Sequence, residues 1–188
     1  WSERPVTPVL NLEACEPYSR ADFWPVEGEP APRWEREAFR IFAVDVQGDH
    51  YWAICRAWRL DGSSRLLYEG RISTIEQVHE TQKRFEVSNE NVAIDSGYAT
   101  ERIAHARWKY RKLIRRNGKH VGSSCWVMLK GARDESFPHH EIHGRQKVKV
   151  RKVYSTTEKF KTSEGTPYSV VKFSNLMAKN ALAAMMAG

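Results

Sequence analysis

The stretch Phe39-Arg40-Ile41-Phe42-Ala43-Val44-Asp45-Val46 decides how the rest of the chain is read. It reads as apolar on both faces around a single acid, Asp45, the mark of a central strand covered on both sides. Gly48-Asp49 signals a turn. His50 to Leu60 makes a second strand rich in aromatic residues, Asp61-Gly62 turns the chain again, and Arg65 to Ile72 makes a third. Three strands joined by short Gly-containing turns predict an antiparallel meander.

Beyond the meander, Thr74-Ile75-Glu76 opens a helix reaching roughly Phe85. Val92-Ala93-Ile94-Asp95 is a short apolar strand ending in an acid, followed by Ser96-Gly97. Thr100 is expected to cap a long basic helix running to about Arg116. Ser124 to Leu129 makes a fifth strand, residues 132–167 read as loops and a strand pair, and Ser174 to Ala187 as a terminal helix rich in Ala and Met. The order β-β-β-α-β-α-β, then an insertion, then α, predicts an α/β protein with a mixed sheet and helices on both faces. The strand order 3-2-1-4-5 is that of the ribonuclease H-like fold, in which the first and fourth strands lie side by side.

Upstream of Phe39, residues 1–38 read as a Pro-rich linker or arm, and 39–188 as the folded domain. Six of the eight prolines fall in the first 40 residues, where they remove backbone donors and block helices. Trp24 and Trp34 are the residues that could pin this arm to a surface. The same 40 residues hold five Arg against eight Asp or Glu, so the net charge of +7 is concentrated in the remainder. A basic domain behind an acidic arm favours a polyanionic partner, most simply nucleic acid. A mean hydropathy of -0.62 and the lack of any ~18-residue apolar run exclude a membrane-spanning helix. The chain opens on Trp1 rather than Met, as expected of a processed or excised piece, and its start lacks the pattern of a signal peptide. Cys15, Cys55 and Cys125 are too scattered for a disulfide framework and suit a reducing, cytoplasmic compartment.

Two acids stand out chemically. A buried, unpaired carboxylate costs several kcal/mol, so Asp45 in its apolar strand needs a partner. Asp95 has the same character. On neighbouring strands spaced ~4.8 Å apart, the two would converge on one point. Converging carboxylates form a hard oxygen site suited to Mg²⁺ or Mn²⁺, and two such ions could drive in-line attack on a phosphodiester. Gln47, on the same face as Asp45, could orient a ligand or water. The plainer alternative pairs Asp45 with an arginine and leaves Asp95 capping the next turn.

The segment Phe42-Ala43-Val44-Asp45-Val46-Gln47 resembles the "VDVQ" strand that opens the nuclease domain of the large terminase subunit of tailed bacteriophages, in the lambda GpA-like branch. Ala93-Ile94-Asp95-Ser96-Gly97 with Thr100 resembles that family's "DSG…T" motif, and Met128-Leu129-Lys130-Gly131 its "KG" strand end. The resemblance implies a metal-dependent endonuclease that cuts concatemeric double-stranded viral DNA in the host cytoplasm. It implies Asp45 and Asp95 as metal ligands and catalytic residues, and a two-metal site for Mg²⁺ or Mn²⁺. Its implied partners are a terminase ATPase domain, a small terminase subunit and a portal, with no membrane. No GxxxxGK[ST] loop occurs, so the motor is not in this chain. The family commonly has a further acid near the final helix, beside a Lys matching Lys179. Ser174 to Gly188 contains no acid, and Asn175 and Asn180 stand there instead. Glu69, Asp134 and Glu135 are the substitutes elsewhere, with Glu69 preferred as a third ligand beside Asn175.

Basic residues supply the DNA surface. Arg102, Lys109, Arg111, Lys112, Arg115, Arg116 and Lys119 crowd the expected second helix and its exit, and Lys130 ends the fifth strand. Arg145, Lys147, Lys149 and Arg151 alternate with Gln146, Val148 and Val150, which places four cations on one strand face. Such a ladder tracks phosphates without reading sequence. His139, His140 and His143 beside Glu141 read as an exposed loop rather than a zinc site. The competing functions are another ribonuclease H-like nuclease, of resolvase or transposase type, and a DNA-binding module with a degenerate metal site.

Overall fold

The computed structural model describes residues 20–144 and 146–180. They fall into two compact units, one of residues 20–130 and 157–171, the other of residues 131–156 and 172–180. The meander forms as expected: β1 (Phe39–Val46), β2 (Tyr51–Trp58) and β3 (Ser64–Ile72) pair antiparallel in sequence. After α1 (Ile75–Arg84), β4 (Val92–Asp95) returns parallel to β1 on the side away from β2. Then follow α2 (Thr100–Lys109), β5 (Lys112–Arg116), β6 (Lys119–Ser124), β7 (Val127–Ala132), β8 (Phe137–His143), β9 (Gln146–Lys152), β10 (Glu158–Lys161) and β11 (Pro167–Ser174).

The main sheet has seven strands in the order β10-β11-β7-β4-β1-β2-β3. That is larger than the five-stranded sheet of order 3-2-1-4-5 read from the sequence. The expected fifth strand is β7, beside β4, and β11 and β10 extend the sheet past it. The sequence reads residues 132–167 as loops and a strand pair and starts a terminal helix at Ser174, so it does not anticipate β10 and β11 as members of the main sheet. Among the described residues helix begins at 175, and the expected continuation to Ala187 lies outside them.

The core occupies one face of the sheet. Phe42, Val44 and Val46 of β1 line up with Cys55, Ala53 and Tyr51 of β2, and Phe42 and Val44 with Val92 and Ile94 of β4. Val78 of α1 and Ile103 and Ala104 of α2 close over these rows, and all three are fully buried. Of the expected covering of both faces, α1 and α2 supply one, and the expected terminal helix lies mostly outside the described residues. Both helices pack on one side, and β1 alternates strictly, with Phe39, Ala43 and Asp45 exposed on the other. Phe39, Ile41 and Ala43 give that face an apolar look, but apolar side chains also occur on open surfaces.

Further departures follow from local chemistry. The second helix stops at Lys109, well short of Arg116, and the chain doubles back as the β5–β6 ribbon. Asn117 and Gly118 both take positive φ at its tip, the requirement of a tight two-residue turn that Asn-Gly meets best. Thr100 is the first helical residue rather than the cap. The cap position is Ala99, and the Thr100 hydroxyl donates back to the Ser96 carbonyl at 2.6 Å. His139, His140 and His143 lie on strand β8, not in a loop, with β9 paired alongside.

The arm is ordered where it is described. Trp34 is buried beneath the guanidinium groups of Arg59, at 3.7 Å, and Arg65, at 4.6 Å. Trp24 meets Phe85 edge-on at 5.8 Å, so both tryptophans pin residues 20–38 to the first unit. Among the described residues no helix is long and apolar enough to cross a membrane.

Candidate metal centre and nucleic-acid interface

The parallel register of β1 and β4 pairs Ala43 with Ala93 and Val44 with Ile94, so the next step along each strand brings Asp45 abreast of Asp95. Side chains alternate along a strand, and both acids share the open face with Ala43 and Ala93. Asp45 is exposed and Asp95 half-buried. Neither pairs with an arginine among the described residues. Instead the Gln47 amide donates to Asp45 Oδ2 at 2.5 Å, and the Gly97 backbone N–H donates to Asp95 Oδ1 at 2.9 Å. Each acid is thus oriented by one neutral donor, and its other oxygen is free among the described residues.

The residues after Asp95 each have a mechanical reason to be there. Ser96 is fully buried, and its N–H and hydroxyl both reach the Leu129 carbonyl at 2.8 Å, tying β4 to β7. A Cβ on Gly97 would sit 3.3 Å from Asp95 Oδ1 and 3.7 Å from Oδ2, so any side chain there crowds the carboxylate. Thr100 then bonds back to Ser96 and starts α2. The sequence reading passes over Tyr98, which is 73% exposed. A Cβ on Gly48 would lie 3.8 Å from its hydroxyl, which places Tyr98 between the β1–β2 turn and the start of α2. An exposed aromatic directly after an Asp-Ser-Gly run is the signal that could have found it.

The other acids do not join the pair. Glu69 lies on β3 opposite Ile54, two strands from Asp45, and accepts from Arg20 at 2.9 Å. Among the described residues no three His, Cys, Asp or Glu gather into a metal-sized group, and Asp134 and Glu135 are no exception. In the second unit, the Asn175 amide packs onto Gly131. A Cβ there would come within 2.6 Å of its Nδ2, so Gly131 must lack a side chain. Asn180 belongs to the helical residues that follow. The donor set left for a cation is two carboxylates, with the Gln47 amide beside them. That is a hard oxygen set, and it fits Mg²⁺ or Mn²⁺, since Mg²⁺ is commonly held by one or two carboxylates and keeps several waters.

The cations divide between two ribbons, each belonging to a different unit. On β5–β6, Lys112, Arg115, Arg116 and Lys119 are all exposed, on a ribbon with almost no buried residue. Lys109 is already paired with Glu76 at 3.1 Å, and Arg111 stacks 3.9 Å over Trp108. On β9, Lys147 and Lys149 alternate with Val148 and Val150 and are exposed, whereas Arg151 donates to the Ser136 hydroxyl at 2.7 Å. Arg145 lies outside the described residues. Lys130 is exposed on β7. Beside the histidines, Glu141 is held below the ordinary carboxylate range by the Lys152 ammonium at 2.7 Å and then by His143. His139 bonds the Tyr154 carbonyl at 2.6 Å and His143 meets Glu141 at 3.3 Å, so these two side chains have structural partners.

No protein-family model, curated protein or solved structure matches this chain.

Proposed function

We propose that this protein is a metal-dependent DNA endonuclease of ribonuclease H-like type, the nuclease domain of a phage-type terminase large subunit. One observation carries the reading: two aspartates stand abreast on adjacent parallel strands, on an open sheet face, each oriented by a neutral donor. The strand neighbours β3-β2-β1-β4-β7 support it, as do the VDVQ, DSG and KG resemblances. Bound there, Mg²⁺ or Mn²⁺ would supply an activated water and a counter-charge for the phosphodiester. Asp45 and Asp95 would hold the ion, Gln47 and Gly97 orient the carboxylates, and the exposed lysines and arginines would draw in and track the duplex backbone.

Asp45→Asn tests this directly. Asn preserves shape and removes charge, so metal affinity falls steeply while DNA binding persists. Plasmid nicking in Mn²⁺ is expected to drop by at least ~10²-fold, and Asp95→Asn is expected to match it. The double variant should be little worse than either single one, since both acids serve one site. Full nicking by Asp45→Asn rejects the assignment. Wild-type DNA binding without cleavage in either metal identifies a DNA-binding module instead, the reading favoured by the lack of a third gathered acid among the described residues.

A further inference from the structure

We infer that the β8–β9 ribbon is a DNA-bending wedge: Ile142 enters between base pairs from the minor groove while Lys147, Lys149 and Arg151 hold the phosphates beside it. This rests on the reading of duplex DNA as the partner. It owes nothing to the aspartate pair, which belongs to the other unit. The strand register decides which side chains act together. Pro138 stands opposite Arg151, His140 opposite Lys149 and Ile142 opposite Lys147, so all six share one face of the ribbon. All six are exposed, and none is acidic. The opposite face is differently made. Phe137 is buried there, and Glu141 is already matched by Lys152 at 2.7 Å and by His143 at 3.3 Å. One face is thus committed to structure, and the other is left basic.

Position gives Ile142 its role. His143 and Gln146 close the hairpin, with Gly144 at a φ of 63° in the turn, so Ile142 and Lys147 form the outermost pair on the basic face. Ile142 is 80% exposed. An isolated exposed apolar residue is ordinary on a surface. This one sits where the ribbon reaches furthest, with a row of cations behind it. Alternate residues of β9 lie about 6.6 Å apart along the strand, so the three cations form a row that can follow a phosphate backbone. Phosphates offer an apolar side chain no partner. A wedge between base pairs does, and the kink it makes brings more backbone within reach of the cations. A lipid surface rewards a broad apolar area, of which Ile142 and Pro138 supply little.

Bending and unstacking are read on two duplexes of about 20 base pairs with a central, easily kinked TA step. One carries a donor and an acceptor at its ends, and the other carries 2-aminopurine at the step. Both are titrated in EDTA, so that no cleavage intrudes. With the wild type at saturation, energy transfer is expected to rise and the 2-aminopurine to brighten as stacking is lost. Ile142→Ala is expected to lose most of both signals at saturation while keeping the wild-type slope of log K against log salt, because the phosphate contacts remain. Ile142→Leu keeps a wedge and is expected to restore both signals. Lys147→Glu with Lys149→Glu is expected to weaken binding by about tenfold or more, yet to bend the duplex once saturated. Thermal melts of each variant confirm that the fold persists. Binding without bending, bending without brightening, or full bending by Ile142→Ala overturns the wedge and leaves duplex DNA as the partner. If no duplex binds, the DNA reading falls together with the wedge. Binding to phosphatidylserine-containing vesicles that needs Ile142, in place of duplex bending, assigns the face to an anionic lipid surface and overturns the wedge as well.

Discussion

Glu37 and Arg40 form an ion pair whose two side chains are each 1% exposed, at the point where the arm meets β1. Arg40 Nε donates to Glu37 at 2.8 Å and its Nη1 to the Phe85 carbonyl at 2.9 Å, while the Trp34 N–H and Arg33 also donate to Glu37. Burial alone pushes the Glu37 carboxyl up, but the bonds from Arg40, Trp34 and Arg33 together hold it below its ordinary value of 4.5. The folded state therefore binds this proton less readily than the unfolded chain does. The resulting stability is fully present above the ordinary carboxylate range and is lost as pH falls through the depressed value. Glu37→Ala leaves the Arg40 charge buried without its partner, and is expected to cost about 3–5 kcal/mol. Glu37→Gln should also flatten the acid limb of a plot of Tm against pH, measured by circular dichroism between neutral pH and about pH 3. An unchanged acid limb would show that other carboxylates set the acid stability. The sequence shows an acid and a base three residues apart but not that Trp34 and Phe85 bury them, because that depends on segments brought together only by folding. Asp45 and Asp95 are legible for the opposite reason: a charge inside an apolar run is visible locally. Their company is not. Glu69 looks suitable because strand three neighbours strand two, yet a further strand separates it from Asp45, and Arg20 claims it.

Elements with strong local signals form where the sequence places them. Thr74 accepts from the Gln77 N–H at 3.2 Å, and the Gln77 side chain accepts from the Thr74 N–H at 3.3 Å, a reciprocal box that starts α1. Two of the amides at the helix start are satisfied before any tertiary contact is needed. Thr74→Ala is expected to cost about 1 kcal/mol, and Thr74→Ser much less, read by urea denaturation at constant m-value. Equal losses for both would mean that the hydroxyl bond does not matter here. The sequence overextends α2 because Lys and Arg are good helix formers, and Leu113 and Ile114 fit a helical stripe. The Asn117-Gly118 pair outweighs that preference by making the reversal cheap. On β10 and β11 the difficulty is different. Short strands with exposed lysines and a half-open aromatic pair carry little period-two hydrophobic signal, so the place of this hairpin beside β7 is set by the sheet rather than by its own composition.

Charge organises the whole chain. The net excess of cations lies after residue 40, and the structure raises much of it on two exposed ribbons, β5–β6 and β8–β9. The β5–β6 ribbon is exposed on both faces and contributes little to a core, and on β9 Lys147 and Lys149 are exposed although Phe137 of β8 is buried, so these cations are free to meet a partner. Under the proposed function, both ribbons engage the phosphate backbone, and the interaction is sequence-blind. Removing one cation that neutralises a phosphate should make the slope of log K against log salt shallower by about 0.9 for duplex DNA. Lys147→Glu with Lys149→Glu is expected to weaken binding to all duplex sequences alike and to reduce the slope by about 2, and Lys112→Glu with Arg115→Glu to do the same. If both ribbons grip one duplex, combining the four changes adds the two losses in log K, because each pair neutralises its own phosphates. If only one ribbon binds, the combined variant equals the worse of the two pairs, and the silent ribbon keeps the wild-type slope. Anisotropy titrations of a labelled duplex from low to moderate salt separate these outcomes. Melting curves should barely move in any variant, since every substituted side chain is exposed and none supports the buried face where α1 and α2 pack. Loss of affinity without loss of stability is what distinguishes a binding surface from a structural one. An unchanged salt slope in both pairs would move the DNA contact away from the ribbons, to Lys130 and the surroundings of the two aspartates.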